Sequence, residues 1–292
     1  MPIYRLEITA ALAGFTVRHA ALYALRLSNG QFKRAKFHGS VLLNGMPALA
    51  NARLAAGQLL ELTVPEGEHN LPAPMSLSLR VPYEDDAFLI VDKPAPLPSA
   101  SSAKQAAPTL ENAVFAHLGC PEPFVYRPVN RLDKGTSGLM LVANTAHAQA
   151  LLQRQLHSDA FIREYLAVVE GAPPQAEGLI DLPIAKEDGA TIRRVIDATG
   201  KEARTHYWLL ASQHGRSLVR LRLDTGRTHQ IRVHLRAVGC PVVGDFLYGA
   251  EDAALPGRFA LHSALVAVRH PFTGALIVRE SALPPELQAL MT

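Results

Sequence analysis

The segment that most constrains the fold is a polar loop that runs directly into a wholly apolar stretch. Residues 130–138, NRLDKGTSG, combine an arginine and an aspartate with hydroxyl side chains and two glycines, and residues 139–143, LMLVA, follow at once. A short uninterrupted apolar run is typical of a buried strand. The sequence therefore predicts a core strand whose entrance is a charged loop.

Two of the charged residues of this loop, Arg131 and Asp133, are separated by one residue. In an extended segment, residues two apart point to one side, so both side chains would face the same cavity while Leu132 points inward. A surface ion pair, which contributes well under about 1 kcal/mol, or a local cap would also account for the aspartate. The small residues at 135–138 would let a substrate or another backbone approach closely. The residues alone leave a functional carboxylate and a structural pair both open.

Three sequence patterns resemble known functional motifs, but in each case the match is incomplete. The letters DKGTSG are similar to the phosphorylated aspartate motif of ion pumps, but the order of threonine and glycine differs. LDTG at residues 223–226 is similar to an aspartic protease loop, yet such enzymes need two loops that share a proton, so we interpret it as a turn that caps a helix. His229 and His234 lie five apart on a predicted helix and hence on different faces, so no metal site is expected.

Composition limits the class of protein. The chain has 292 residues, 48% of them hydrophobic and 19% charged, which is typical of a globular protein with two domains. No apolar run approaches the roughly 20 residues of a membrane helix, and no signal peptide is recognisable. Cys120 and Cys240 are too few for a disulfide framework. We expect a cytoplasmic protein, and a monomer.

The organisation predicted along the chain is a small domain over residues 1–68, a linker over 69–80 rich in proline and turn formers, and a catalytic domain over 81–292. In the larger domain, alternation and periodicity predict a buried strand that runs into a proline-rich turn over 85–98, a strand at 162–171, short strands between 179 and 223, and helices at 109–118, 145–158 and 227–239. Residues 99–108 are expected to form an exposed loop. This mixture of many strands and few helices predicts an α+β fold.

The small domain carries the positive charge of the chain. The net charge is +3, but residues 1–60 hold seven arginines and lysines against Glu7 alone, which gives +6 there and leaves −3 for the rest. Such a segment is either a solvated basic face or a surface that contacts phosphates. A helix, a Ser-Asn-Gly break, a short basic helix and a hairpin at Asn44-Gly45 follow in order. This arrangement resembles the S-four type RNA-binding domain over residues 10–65, which implies that Lys33, Arg34 and Lys36 contact RNA.

Five blocks of the larger domain resemble one family in their order and spacing: VNRLDKGTSGLMLVANT, REYLAVVEG, GKEARTHYWLL, LDTGRTHQIRVHLRAVGCPVVGDFLYG and LHSALVAVRHPFTG. Together they resemble the RluA-type RNA pseudouridine synthases over residues 82–285. The resemblance implies a pseudouridine synthase fold, in which helices flank a mixed, mainly antiparallel sheet. It implies an enzyme that isomerises uridine to pseudouridine in ribosomal or transfer RNA.

The resemblance also assigns roles to single residues. Asp133 matches the carboxylate that attacks the target uridine, and Arg227 matches the basic residue that pairs with it, because a guanidinium keeps a carboxylate ionised and oriented. Tyr165 matches the tyrosine that lies against the target base. Arg131 matches the residue that fills the space left by the flipped uridine, since the glycosidic bond cannot be reached inside stacked RNA.

Further matches are Arg163, where the family has a lysine that faces the RNA, and Ile231 and Leu261, which would form apolar walls of the substrate pocket. The one departure is Asn130, where the family has a histidine, and because asparagine cannot take a proton we expect this position to serve contacts. No metal and no cofactor is implied, since nothing is oxidised and no group is donated. Addition to the base, attack on the ribose and a glycal path all stay open, as does a non-catalytic RNA-binding protein that kept the fold.

Overall fold

The computed structural model describes residues 2–65, 71–101, 108–156, 158, 160–189 and 192–292. The strands in these residues are β1 (Ile3–Glu7), β2 (Ser40–Leu43), β3 (Met46–Pro47), β4 (Leu59–Thr63), β5 (Arg80–Glu84), β6 (Phe88–Lys93), β7 (Ser137–Ala143), β8 (Phe161–Glu170), β9 (Glu177–Asp181), β10 (Ile184–Lys186), β11 (Arg194–Ile196), β12 (Arg204–Gln213), β13 (Arg216–Leu223), β14 (Leu261–Arg269) and β15 (Leu276–Glu280). The α-helices are α1 (Val17–Tyr23), α2 (Asn29–His38), α3 (Leu110–His117), α4 (Ala146–Gln155), α5 (Gln230–Ala237) and α6 (Pro285–Gln288).

The N-terminal unit is a small α/β structure with its own core. Its antiparallel sheet has the order β1-β4-β2-β3, and α1 and α2 pack on it. The predicted Ser-Asn-Gly break is wrong in one respect, because Ser28 is the N-cap of α2. Its hydroxyl accepts from the Gln31 amide at 3.1 Å, and its own amide donates to the Gln31 side chain at 2.8 Å. This capping box places Asn29 and Gly30 inside the first turn of the helix.

The domain boundaries stay predictions. Residues 66–70, at the predicted junction of small domain and linker, and residues 102–107 of the predicted exposed loop lie outside the described residues. Residues 71–79 form no strand or helix, but Met75, Leu77 and Leu79 pack against the core of the larger domain.

The larger domain is built on one mixed sheet. Its strands run in the order β5-β6-β7-β14-β8-β13-β12-β9, and β15 also pairs with β14. Only the contact between β7 and β14 is parallel among the described strand pairs of this sheet. All seven residues of β7 are buried, as the apolar run predicts. The predicted mixed, mainly antiparallel sheet is confirmed.

Both faces of the sheet are covered. Alternate residues of β6 and β7 belong to different hydrophobic clusters, since Leu89 and Met140 pack on one side while Ile90 and Leu141 pack on the other. Helix α3 contributes to the first cluster and α4 to the second. No helix among the described residues is long and apolar enough to span a bilayer.

The small residues at the start of β7 allow the close contact with β14. A Cβ on Gly138, which has a φ of +105°, would lie 2.3 Å from the Ser263 carbonyl oxygen. A Cβ on Gly135 would lie 2.7 Å from the Phe259 ring. Of the two explanations open from sequence, the close approach of another backbone accounts for Gly138, whereas Gly135 makes room for an aromatic side chain.

Candidate active site

The loop of residues 130–136 leads into β7, and its first half is held by side-chain hydrogen bonds to backbone. Asn130 is buried, and its Oδ1 accepts from the Leu141 amide at 3.0 Å. The hydroxyl of Ser99 donates to the Leu132 carbonyl at 2.5 Å and accepts from the Leu132 amide at 3.1 Å. Leu132 is thereby turned into the core, while Arg131 and Asp133 line one cleft. Asn130 serves contacts, and its contact is with the strand that follows.

The carboxylate of Asp133 receives its hydrogen bond from an arginine other than the predicted one. Nη1 of Arg232 donates to Oδ2 of Asp133 at 2.8 Å. The predicted pairing with Arg227 is wrong, because the Nε of that residue donates to the Glu202 carbonyl at 2.8 Å. The reason lies in the start of α5. The helix begins at Gln230, so Arg232 lies in its first turn facing the cleft, while Arg227 still belongs to the preceding turn.

Hydrogen bonds and two aromatic rings hold the guanidinium of Arg232 in place. Its Nε and Nη2 donate to the two oxygens of Asp245 at 2.6 and 2.8 Å, and Asp245 is fully buried. Its guanidinium lies over the rings of Phe259 and Tyr248, at 4.1 and 5.0 Å from their centroids. Burial lowers the pKa of Arg232, but the hydrogen bonds and charges of Asp245 and Asp133 outweigh it and raise the pKa above its ordinary value. The arginine is a permanent, oriented cation beside Asp133.

The cleft has a volume of about 460 Å³. Tyr165, Ile231 and Leu261 are buried and line it, together with Arg163. Burial raises the pKa of the Tyr165 phenol, the guanidinium of Arg163 opposes this, and the charge of Asp133 adds to it. The phenol therefore stays protonated near neutral pH. An apolar wall with one phenol and one carboxylate is suited to hold a flat base beside a charged group.

Arg163 is buried in the wall of the cleft. It is 6% exposed, and its guanidinium lies over the Phe161 ring at 5.3 Å while Nη2 donates to the Leu156 carbonyl at 3.4 Å. Residues 161, 163 and 165 point to the same side of β8 and are all buried, which explains this position. Arg163 therefore faces the interior of the cleft.

Lys93 supports the loop from below. Its side chain is fully buried, and its ammonium donates to the carbonyls of Leu97 at 2.7 Å, Pro94 at 3.1 Å and Lys134 at 3.4 Å. Burial lowers the pKa of Lys93 to about 7, the charge of Asp133 raises it and that of Arg258 lowers it. The lysine ties the loop of Asp133 to the turn that follows β6.

The structure brings most of the predicted residues together in one place. The cleft is lined by all of the predicted catalytic, pocket and loop residues, namely Asn130, Arg131, Asp133, Arg163, Tyr165, Arg227, Ile231 and Leu261. The predicted basic residues of the small unit lie apart from it on α2, where Lys33 and Lys36 are exposed and Arg34 is half-buried.

Sequence reasoning missed Arg232, Asp245 and the position of His229. Arg232 could have been found from the sequence, because it lies three residues after His229 and so shares the same face of the predicted helix. Asp245 lies in the block CPVVGDFLYG, and nothing local marks it as buried. Among the described residues, no group of three or more histidines, cysteines, aspartates and glutamates is arranged to hold a metal ion.

Comparisons with known proteins agree with this geometry. A family model described as RNA pseudouridylate synthase matches residues 87–237. The chain is 36% identical to the uncharacterized RNA pseudouridine synthase YlyB of Bacillus subtilis, over 87% of this chain and 85% of that protein. It is 37% identical to the ribosomal large subunit pseudouridine synthase D of Xanthomonas campestris, over 87% of this chain and 81% of the relative. Human RNA pseudouridylate synthase domain containing 1 has a similar structure, with a TM-score of 0.59, 25% identity, and coverage of 73% of this chain and 87% of that one.

The chain therefore belongs to the RNA pseudouridylate synthase family. It is an RNA pseudouridine synthase, an isomerase, and the predicted family, fold and activity are confirmed. The match to the family model does not reach residues 1–86, so the S-four type domain stays a prediction.

Proposed function

We propose that this enzyme isomerises uridines in large-subunit ribosomal RNA, with Asp133 as the carboxylate that attacks the target nucleotide. The observation that carries the proposal is the arrangement of that side chain. It is 29% exposed at the cleft and is held by Arg232, whose other nitrogens are held by the buried Asp245. The ribosomal substrate is supported by relatives of Xanthomonas, Nitrosomonas and Neisseria, which are 36–37% identical and are named for the ribosomal large subunit.

The chemistry follows from the groups in the cleft. The N-glycosidic bond of uridine breaks, the uracil turns, and a bond from C5 of the base to C1′ of the ribose replaces it, while C5 loses its proton and N1 gains one. Asp133 can begin this by adding to the base, by attacking C1′, or by taking a proton from C2′, and in each case it must be ionised. The neighbouring guanidinium of Arg232 orients the carboxylate through its hydrogen bond. Reactant and product are isomers, so the atoms balance without a further reactant.

The remaining cleft residues hold the base. Tyr165 lies on the wall beside Asp133 with its phenol protonated, so it can stack on uracil and exchange a proton with it. A cleft of about 460 Å³ accommodates one nucleotide rather than a helix, so the target uridine must leave its stack. Arg131 is exposed at the same cleft, which supports a role in filling the gap that the nucleotide leaves.

The basic surface of α2 extends the contact with RNA. Lys33 and Lys36 are exposed on this helix, and each can neutralise one phosphate and release its counterions. The resemblance to an S-four type RNA-binding domain supports the same use of the N-terminal unit. This surface would add affinity without touching the chemistry.

The experiment that tests the proposal is tritium release from RNA labelled with [5-³H]uridine, because pseudouridine formation frees the hydrogen on C5. Asp133→Asn keeps the shape of the side chain and removes its charge, so we expect the rate to fall by a factor on the order of 10⁴ or more while RNA affinity is nearly unchanged. A rate for Asp133→Asn within about tenfold of the wild type would overturn the assignment of the carboxylate.

The substrate is tested separately. Pseudouridines are mapped in total RNA from cells with and without the protein. Positions lost from large-subunit ribosomal RNA support the proposal, and losses confined to transfer RNA would contradict the substrate while leaving the activity intact.

A further inference from the structure

His229 lines the cleft, and the reaction steps described above do not involve it. It is the N-cap residue of α5, with a left-handed backbone (φ 59°, ψ 17°), and its side chain is 12% exposed. Its Nδ1 lies 2.8 Å from the hydroxyl oxygen of Tyr248, and its Nε2 lies 3.8 Å from Oδ2 of Asp133. The imidazole thus stands between a buried phenol and the carboxylate.

The hydrogen bonds of Tyr248 assign the tautomer of this histidine. The phenol oxygen accepts the amide hydrogen of Arg194 at 2.8 Å, and an amide can only donate. In the described part of the chain, the only other partner of that oxygen is Nδ1 of His229. The phenol oxygen could accept twice, but its own hydrogen and the imidazole hydrogen both find described acceptors only if the phenol hydrogen goes to Nδ1 and the single hydrogen of a neutral imidazole is on Nε2, which faces Asp133.

The charge state of His229 fits this pattern. Burial lowers the pKa of the imidazole, the charges of Asp133 and Asp245 raise it, and those of Arg232 and Arg194 lower it, with a net shift below the ordinary value. The neutral form, with one donor and one acceptor nitrogen, is therefore the form present near neutral pH.

We propose that His229 is a positioning residue for Asp133, with an Nε2–H that serves as a second donor to Oδ2 beside the guanidinium of Arg232. This rests on the proposed role of Asp133. At 3.8 Å the contact is longer than a hydrogen bond, and it shortens when a bound nucleotide displaces water from the cleft. Both donors approach Oδ2, and no described residue donates to Oδ1. Oδ1 is therefore the oxygen that attacks or takes the proton.

A role in starting the helix does not explain a histidine here. Its side chain makes no capping hydrogen bond. A left-handed backbone favours glycine or asparagine, and other residues adopt it at a cost.

Two substitutions separate the roles because they give opposite rank orders. His229→Asn suits the left-handed backbone but ends short of Asp133, with its amide near the position of Nδ1. His229→Gln is strained in that backbone but carries an N–H close to the position of Nε2. If His229 positions Asp133, Gln retains a kcat within about fivefold of the wild type, whereas Asn loses about tenfold or more, with KM unchanged in both. If the residue only starts the helix, Asn is at least as active as Gln, and that order would overturn the proposal.

Tyr248→Phe is the matched test of the tautomer. It removes the hydroxyl and keeps the ring that lies over Arg232. We expect kcat to fall about threefold or more in the wild type and to change little in the His229→Gln background, because the glutamine amide does not depend on Tyr248 for its N–H. Equal losses in both backgrounds would contradict the relay.

A spectroscopic measurement keeps this inference independent of activity. In the full-length protein labelled with ¹⁵N-histidine, the His229 resonances, assigned by their absence in His229→Asn, should report hydrogen on Nε2 alone near neutral pH. Hydrogen on Nδ1, or on both nitrogens, would overturn the inference even if the enzyme releases tritium. A wild-type protein that releases no tritium would instead count against the proposed function, while the tautomer could still be measured.

Discussion

Asp245 is the residue on which the orientation of Arg232 depends, and Asp245→Asn changes its charge without changing its size. Its carboxylate accepts two hydrogen bonds from Arg232 and two more from the amides of Leu247 and Tyr248. In the asparagine variant one oxygen can keep the amides and Nη2, but an NH₂ group must face the Nε–H of the arginine. The guanidinium, whose side chain is 4% exposed, then keeps Asp133 as its single carboxylate.

The size of the effect follows from this count. Removing one partner from a buried ion pair costs about 3–5 kcal/mol, and the bonds that asparagine keeps recover part of that. We expect the free energy of unfolding to fall by about 2–4 kcal/mol, measured by urea denaturation. We expect kcat for tritium release to fall by about 10²-fold, since Arg232 can then turn away from the reacting carboxylate.

The control is Asp252→Asn, which makes the same chemical change in a more exposed pair. Asp252 accepts from Arg216 at 2.7 Å, and the two side chains are 19% and 27% exposed. We expect the free energy of unfolding of this variant to fall by less than about 1 kcal/mol and its activity to stay at the wild-type level. The reasoning is refuted if Asp245→Asn unfolds within about 0.5 kcal/mol of the wild type, or if it keeps full activity.

Two further predictions concern lysines. The double variant Lys33→Gln, Lys36→Gln should raise KM, leave kcat unchanged and reduce the slope of log KM against log salt by roughly 2, since two phosphate contacts are lost. The control is the double variant Lys186→Gln, Lys201→Gln, which removes two exposed charges from the larger domain and should leave that slope unchanged. Lys93 has a folded pKa of about 7 against 10.5 as its ordinary value, so between those pH values the unfolded chain binds more protons and stability rises with pH. The unfolding free energy of the wild type minus that of Lys93→Met should therefore increase over this range by up to about 1.4 kcal/mol per pH unit, and a flat difference would contradict the lowered pKa of Lys93.

Local sequence patterns predicted those strands, helices and loops whose position depends only on neighbouring residues. The apolar run at residues 139–143 lies in β7, and the polar break before it forms the loop of Asp133. Thr145 predicted the start of α4, and its hydroxyl accepts from the Ala148 amide at 3.1 Å. The two-residue spacing of Arg131 and Asp133 placed both at one cleft, because that inference needs only the geometry of an extended chain.

The partner of Asp133 could not be chosen in the same way. Arg227 and Arg232 lie five residues apart, and the choice between them depends on where α5 begins. That start is set by His229 in a left-handed conformation and by Gln230, whose side chain is bound to Thr225 and to the Arg227 amide. The Gln230 side chain also donates to the Arg204 carbonyl at 2.9 Å and to the Thr205 hydroxyl at 3.0 Å, at the start of β12, and no local pattern contains these two contacts. The N-terminal helices show the opposite error, since a local signal, Ser28 followed by Gln31, was taken for a break when it begins α2.

The contact between β7 and β14 bears on how the chain tolerates mutation. Gly138 does not line the cleft, yet the carbonyl of Ser263 leaves no room for a side chain there. A larger residue would separate the two strands where the loop of Asp133 is anchored, and Arg232, which belongs to a different part of the domain, would not move with it. A survey of inactivating substitutions would therefore place Gly138 beside Asp133 and Arg232, although its contribution is only to keep two parts of the domain in register.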